Sequence, residues 1–174
     1  MLSEIKTSRV PAVIQKKSNF LFFIVLLFSL GTIAGCDPGR IFDDYQTIKK
    51  GEWHRDSLVQ FNFKIADTAA THNLYIGLRN RGDYSNQNIW LFVTVESPTG
   101  NRVADTVEYY LAEPSGKWLG KGIGDLYDCR FSYRDNVFFP DTGNYKVSIR
   151  QGMRYDVLKG INDVGFRVEK IVSN

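Results

Sequence analysis

Histidine and cysteine each occur only twice in this chain of 174 residues, and proline only five times. The two histidines, His54 and His72, stand alone, with no HExxH or CxxC spacing around them, so no metal-ligating set can be assembled from sequence. Two cysteines, Cys36 and Cys129, are too few for a disulfide scaffold. After residue 35 no apolar run approaches the roughly 20 residues that cross a bilayer as a helix. Nor does any window there keep apolar residues at i, i+3, i+4 and i+7 over three turns, which excludes a helical bundle. Only residues 154–160 have room for a helical turn or two. An excess of charge of one sign is missing too. Four of the 22 basic residues and one of the 19 acidic residues lie within residues 1–35, leaving 18 of each beyond. A chain balanced in this way has no electrostatic case for a nucleic-acid partner.

What the first 36 residues do contain is an ordered signal. Lys16 and Lys17 precede the run Phe20-Leu21-Phe22-Phe23-Ile24-Val25-Leu26-Leu27-Phe28, and small residues follow, ending in Ile33-Ala34-Gly35-Cys36. A charged stretch, a short apolar stretch and a small-residue site make a secretory signal. A branched apolar residue, two small ones and cysteine make a lipobox, in which Cys36 is acylated and becomes the new N-terminus. The 16 residues from Phe20 to Gly35 are short for a transmembrane anchor. Two or three acyl chains hold a protein stably where one holds it marginally. The expected organisation is a lipoprotein signal peptide at 1–35, a lipidated N-terminus and tether at 36–50, and one β-sandwich domain at 51–174. With Cys36 carrying lipid, Cys129 has no partner within the chain and is expected as a small buried apolar residue.

The domain reads as strands. Val59, Phe61, Phe63 and Ile65 alternate with Gln60, Asn62 and Lys64, and Leu74, Ile76 and Leu78 alternate in the same manner. Residues 89–95 are nearly all apolar or aromatic, as in a central strand covered on both faces, so Trp90 and Phe92 are expected to be buried. Residues 103–111, 126–133, 145–151 and 164–171 supply the remaining four of seven strands. Turns fall at Ser97-Pro98-Thr99-Gly100-Asn101 and Pro140-Asp141-Thr142-Gly143-Asn144. Residues 113–125, with one proline and four glycines, form a long irregular connection. Seven strands with about 14% aromatics imply an all-β fold, an antiparallel β-sandwich of jelly-roll or immunoglobulin-like type.

Candidate chemistry is sparse. Gly120-Lys121-Gly122-Ile123-Gly124 lacks the strand and helix that a phosphate loop needs, and reads as a glycine-shaped loop. Arg81-Gly82-Asp83 sits in a polar loop without supporting flanks. Asp125 and Asp128 are not part of a dense acidic run of the calcium-binding type. Paired carboxylates (Asp43 with Asp44, Asp105 with Glu108) face no nucleophile that sequence reveals. No cofactor, metal or catalytic residue is expected, and the chain is not expected to be an enzyme. Among the aromatics, Trp118 is the one expected to be exposed, because its loop is glycine-rich. With Lys121 and Tyr127 it forms the candidate partner or ligand surface. That loop is either a plug over the open end of the sandwich or a docking surface.

Several motifs in order then carry a resemblance. They are Arg79-Asn80 with Tyr84, Asp105-Thr106-Val107-Glu108-Tyr109, Gly116-Lys117-Trp118-Leu119-Gly120-Lys121-Gly122-Ile123-Gly124-Asp125, Phe139-Pro140 with Gly143-Asn144-Tyr145, Gln151-Gly152-Met153-Arg154, and residues 158–170. The chain resembles the gliding-motility lipoprotein H family (GldH-type) of Bacteroidota over roughly residues 36–172. The resemblance implies a non-enzymatic, lipid-anchored envelope protein that serves gliding motility as an accessory or scaffold component coupled to type IX secretion. It implies membrane attachment through Cys36 and protein partners in the envelope. Trp118 and Leu119 would pack their loop, and Arg154, Asp163 and Arg167 would share a polar cluster. Asp37-Pro38-Gly39-Arg40 departs from the charged cluster that accompanies surface export in that phylum, which favours the periplasmic side and leaves inner or outer membrane open. The alternative class is a lipid-anchored carbohydrate-binding module that stacks sugars on exposed aromatics.

Overall fold

Eleven strands are formed among the described residues of the computed structural model, which are residue 37 and residues 39–171. They are β1 (Arg40–Thr47), β2 (Glu52–His54), β3 (Val59–Ile65), β4 (Thr71–Arg81), β5 (Asn88–Glu96), β6 (Arg102–Tyr110), β7 (Lys121–Ile123), β8 (Leu126–Phe138), β9 (Gly143–Gln151), β10 (Val157–Lys159) and β11 (Ile161–Lys170). Cys36 and the signal lie outside the described residues.

Every pairing is antiparallel. One sheet runs β1-β11-β4-β8-β7, a second β3-β9-β5-β6, and β2 pairs with β10 as a small ribbon. Three strands have only three residues. If the other eight are lettered B to I in chain order, the two sheets read B-I-D-G and C-H-E-F. That order is two interlocked Greek keys, a jelly roll, and it decides between the two sandwich types expected from sequence.

Alternation drives the packing. In β3, Val59, Phe61, Phe63 and Ile65 are buried while Asn62 and Lys64 are exposed. Their partners across the core are Leu74, Ile76 and Leu78 of β4 and Val164, Phe166 and Val168 of β11. Aromatic rings tie the two sheets: Phe61 stacks on Phe166 at 6.1 Å, and Phe63 lies 5.8 Å from both Phe166 and Tyr145. Each buried side chain of this size contributes roughly 1.5–3 kcal/mol.

Four expectations need correction. Residues 40–47 are not a free tether: β1 pairs with β11 from Arg40↔Glu169 to Thr47↔Asp163, so the domain begins at residue 40 and not at position 51. The strand escapes the eye because its alternation is of Phe42, Asp44 and Gln46 with Ile41, Asp43 and Tyr45, polar on both faces. Residues 154–160 hold no helical turn; β10 there pairs with β2, and the buried Leu158 and Trp53 face each other across that ribbon. Strand β8 runs five residues beyond Tyr133. Finally, β5 is covered on one face only: Ile89, Leu91 and Val93 are fully buried, but Trp90 and Phe92 are 39% and 40% exposed.

Candidate functional site

The connection between β6 and β8 is more regular than its composition suggests. A bridge between Ala112 and Trp118 closes a tight turn, with Glu113 N–H donating to the Lys117 carbonyl and Gly116 N–H to the Glu113 carbonyl, both at 2.8 Å. The chain then continues into β7, which folds back on the start of β8. Each reversal has a glycine with positive φ, Gly116 at 86° and Gly124 at 68°, where a side chain would be strained. The other two glycines answer a different need. A Cβ on Gly122 would sit 2.4 Å from the Leu126 carbonyl oxygen, and one on Gly120 would sit 2.9 Å from Cys129 Sγ.

This folding places Trp118 half-buried between two tyrosines, 5.7 Å from the Tyr127 ring and 6.4 Å from that of Tyr84. Tyr84 is buried, and its hydroxyl donates to the Asn88 carbonyl. The rings are tilted by 35° and 47°, so they wedge the loop onto the sandwich and do not make a flat platform. Lys121 is exposed beside them. Trp118, Tyr127 and Lys121 are therefore brought to one pole. Leu119, expected to pack the loop, instead stands 51% exposed next to Lys121, at the mouth of a groove shared with Arg79, Asp128, Arg130 and Phe131. Cys129 is buried under this groove, and burial pushes its thiol up to about 11, with the Asp128 charge adding to the effect.

Sequence reasoning missed a second feature, on the outer face of the five-stranded sheet. Tyr45, Gly165, Gly77 and Arg130 are cross-strand neighbours in one row. The two glycines leave a trough in which the Tyr45 ring lies; a Cβ on either would come within 2.6 Å of that ring or its hydroxyl. The Tyr45 hydroxyl donates to Asp128 at 3.2 Å, and the Arg79 guanidinium lies 3.9 Å over the ring. Burial raises the Tyr45 phenol above its ordinary pKa, and Asp128 raises it further. In the next row Thr47 donates to Asp163 at 2.6 Å, and Arg79 pairs with Asp128 at 3.0 Å and with Asp163 at 3.9 Å. Arg167, nearly buried, bonds Asp43 and Glu169. The expected polar cluster divides: Asp163 pairs with Thr47 and Arg79, Arg167 with Asp43 and Glu169, and Arg154 lies on the exposed turn after β9. Glycine at facing positions in the middle of two strands was the available signal, since it marks close approach of another group.

The remaining candidates resolve locally. Arg81 pairs with both Asp83 and Asp125, and Gly82 N–H donates to Asp125, so the Arg81-Gly82-Asp83 loop is closed on itself. Asp125 and Asp128 are engaged by different partners and do not converge.

The GldH lipoprotein family matches residues 40–168, the whole span from the first strand into the last. The chain belongs to that family. It is 42% identical over 161 residues to the gliding motility lipoprotein GldH homolog of Christiangramia forsetii, covering 88% of this chain and 98% of that one. It is 36% identical over 164 residues to the gliding motility lipoprotein GldH of Flavobacterium johnsoniae, covering 90% and 98%. Among solved structures, a family GH115 4-O-methyl-α-glucuronidase aligns with a TM-score of 0.40 and 8% identity, over 79% of this chain but only 18% of that enzyme. Likeness at that level assigns no function.

Proposed function

We propose that this GldH-family lipoprotein is anchored by lipid on Cys36 at the periplasmic side of the envelope. There it serves the gliding-motility machinery, and through it type IX secretion, as a non-enzymatic accessory or scaffold subunit. The observation that carries the reading is the 42% and 36% identity, over 88% and 90% of the chain, to two relatives named for gliding motility. The docking surface we assign is the Trp118 pole, where Trp118 and Tyr127 fix the loop and Leu119 and Lys121 are presented. An exposed leucine beside an exposed lysine suits a partner surface with an apolar pocket rimmed by acid.

The test uses a strain lacking its own family member. The wild-type chain is expected to incorporate labelled fatty acid and restore spreading. Cys36→Ala should do neither, while accumulating as an unprocessed or released species. Incorporation of label into Cys36→Ala would refute the lipidation site, and spreading restored by an unanchored protein would refute the role of the anchor.

A second reading, carbohydrate binding, moves from Trp118 to Trp90 and Phe92, the aromatics exposed side by side on β5, with Arg150 stacked 5.3 Å from the Phe92 ring. Glycan-array binding lost in Trp90→Ala would favour it; no binding by the wild-type chain would remove it.

A further inference from the structure

We infer that the pole of the jelly roll at which β1 begins rests on the bilayer, with Phe138 buried in the lipid interface and the Trp118 loop held away from it. The inference depends on acylation of Cys36.

The first argument is reach. Gly39 is already part of the fold, because its carbonyl accepts from Lys170 N–H at 2.7 Å. Cys36 is three residues earlier, and three extended residues span at most about 11 Å. Strand β8 runs from Leu126, beside the Trp118 loop, to Phe138, and at 3.3 Å per residue its 13 residues extend roughly 40 Å. A tether of about 11 Å keeps the end where β1 begins at the surface, and the far end leaves that surface by roughly 40 Å when the strands stand upright on it. Register confirms which side chains share the anchored end: Thr71 of β4 faces Phe138, its carbonyl accepts from Ile171 N–H, and His72 faces Lys170.

The second argument is the surface found there. Phe138 is 59% exposed, the most exposed phenylalanine of the described fold, and Ile41 and Val103 at the same end are 38% and 53% exposed. Between Phe138 and the turn joining β5 to β6 lies a cleft of about 200 Å³ walled by Val95, Val103, Val137 and Pro140, almost wholly apolar. Charges of both signs surround it: Arg40 and Lys64 are exposed at this end, as are Asp37 and Asp67, the last paired with Lys170. An apolar tip tied to the membrane by about 11 Å of chain matches an interfacial contact in which side chains sit about 5–10 Å below the headgroups.

The full acylated chain, in a Cys129→Ala background, is reconstituted into phosphatidylethanolamine–phosphatidylglycerol vesicles that contain phospholipid with a shallow nitroxide. A fluorophore is placed at Thr99→Cys, on the turn flanking the cleft, or at Lys117→Cys, in the distal loop. We expect about twofold or greater quenching at position 99, none at 117, and loss of most quenching at 99 when Phe138→Asp is added, as befits a group seated at interfacial depth. Equal quenching at 99 and 117 overturns the orientation, and unchanged quenching in Phe138→Asp overturns the role of Phe138. Fatty-acid incorporation is measured on the same sample. An acylated protein with no quenching at 99 sinks this inference alone, whereas a chain that is not acylated sinks the lipidation reading and this inference together. The melting temperature of Phe138→Asp verifies that an exposed site has been changed in a folded protein.

Discussion

Among single residues, the glycines on the outer face of the large sheet carry the sharpest consequences. Gly77 and Gly165 have ordinary backbone angles, so their requirement is for space. Gly165→Ala places a methyl group against the Tyr45 ring, and the ring must leave its trough, breaking the contacts with Asp128 and Arg79. The expected cost is about 1–3 kcal/mol in denaturant unfolding, and a much smaller loss in a Tyr45→Ala background identifies the ring as the cause. His72 makes a pH-dependent prediction. It is fully buried in edge-on contact with Phe139, 5.2 Å between ring centres, and neither ring nitrogen makes a hydrogen bond of good geometry among the described residues, the Val137 backbone being a polar neighbour. Burial depresses its pKa below the usual value of 6.5, and the charge of Lys170 adds to this. As pH falls through 6.5 the unfolded chain therefore takes up a proton that the folded chain refuses, and stability is lost below that point. Melting temperature measured from pH 7.5 to 5 should fall more steeply for the wild type than for His72→Leu; parallel curves would show that His72 titrates normally in the fold.

Elements differ in how plainly the sequence shows them. Strand β3 is legible because Val59, Phe61, Phe63 and Ile65 each point at the core, and only a strand puts all four on one side. Strand β1 is not, because it lies at an edge, only Phe42 packs on the core rings Phe61 and Phe63, and its other face meets a polar network: Asp43 meets Arg167 and Arg130, and Thr47 meets Asp163. Patterning reports burial in apolar surroundings and is silent on a strand held by ion pairs and a tyrosine in a glycine trough. Trp90 and Phe92 illustrate the converse, since an apolar run reads as buried on both faces even where one is open. The loop between β6 and β8 was legible in its glycines but not in its hairpin form. There Trp118→Ala is expected to cost about 2 kcal/mol, less than a fully buried tryptophan, because the ring is only half covered. Gly122→Val is expected to cost more, because its side chain meets backbone at 2.4 Å and backbone cannot step aside. At about 3–4 °C per kcal/mol for a domain of this size, the two variants separate in a thermal melt. A Gly122→Val protein as stable as the wild type would contradict the packing of β7 on β8.

For the whole molecule, strand count and turn spacing pointed to a sandwich, while the choice of jelly roll needed the order of strands, which depends on contacts far apart in sequence such as Arg40 with Glu169. The family could be read from separated motifs, because Trp118, the glycines around it and residues 158–170 resemble the family's pattern in order, and the family match spans residues 40–168. Of the surface expected from sequence, Trp118, Lys121 and Tyr127, the structure makes the two rings wedges and leaves Lys121 exposed, and it adds the exposed Leu119, which sequence reasoning places inside the loop packing. These two side chains separate docking from folding. In a host lacking its own family member, Leu119→Asp combined with Lys121→Glu is to be measured for melting temperature, fatty-acid incorporation and spreading. A scaffold that docks through the Trp118 pole predicts an unchanged melt, normal acylation and loss of spreading. A variant that is folded, acylated and spreads as well as the wild type would contradict that account.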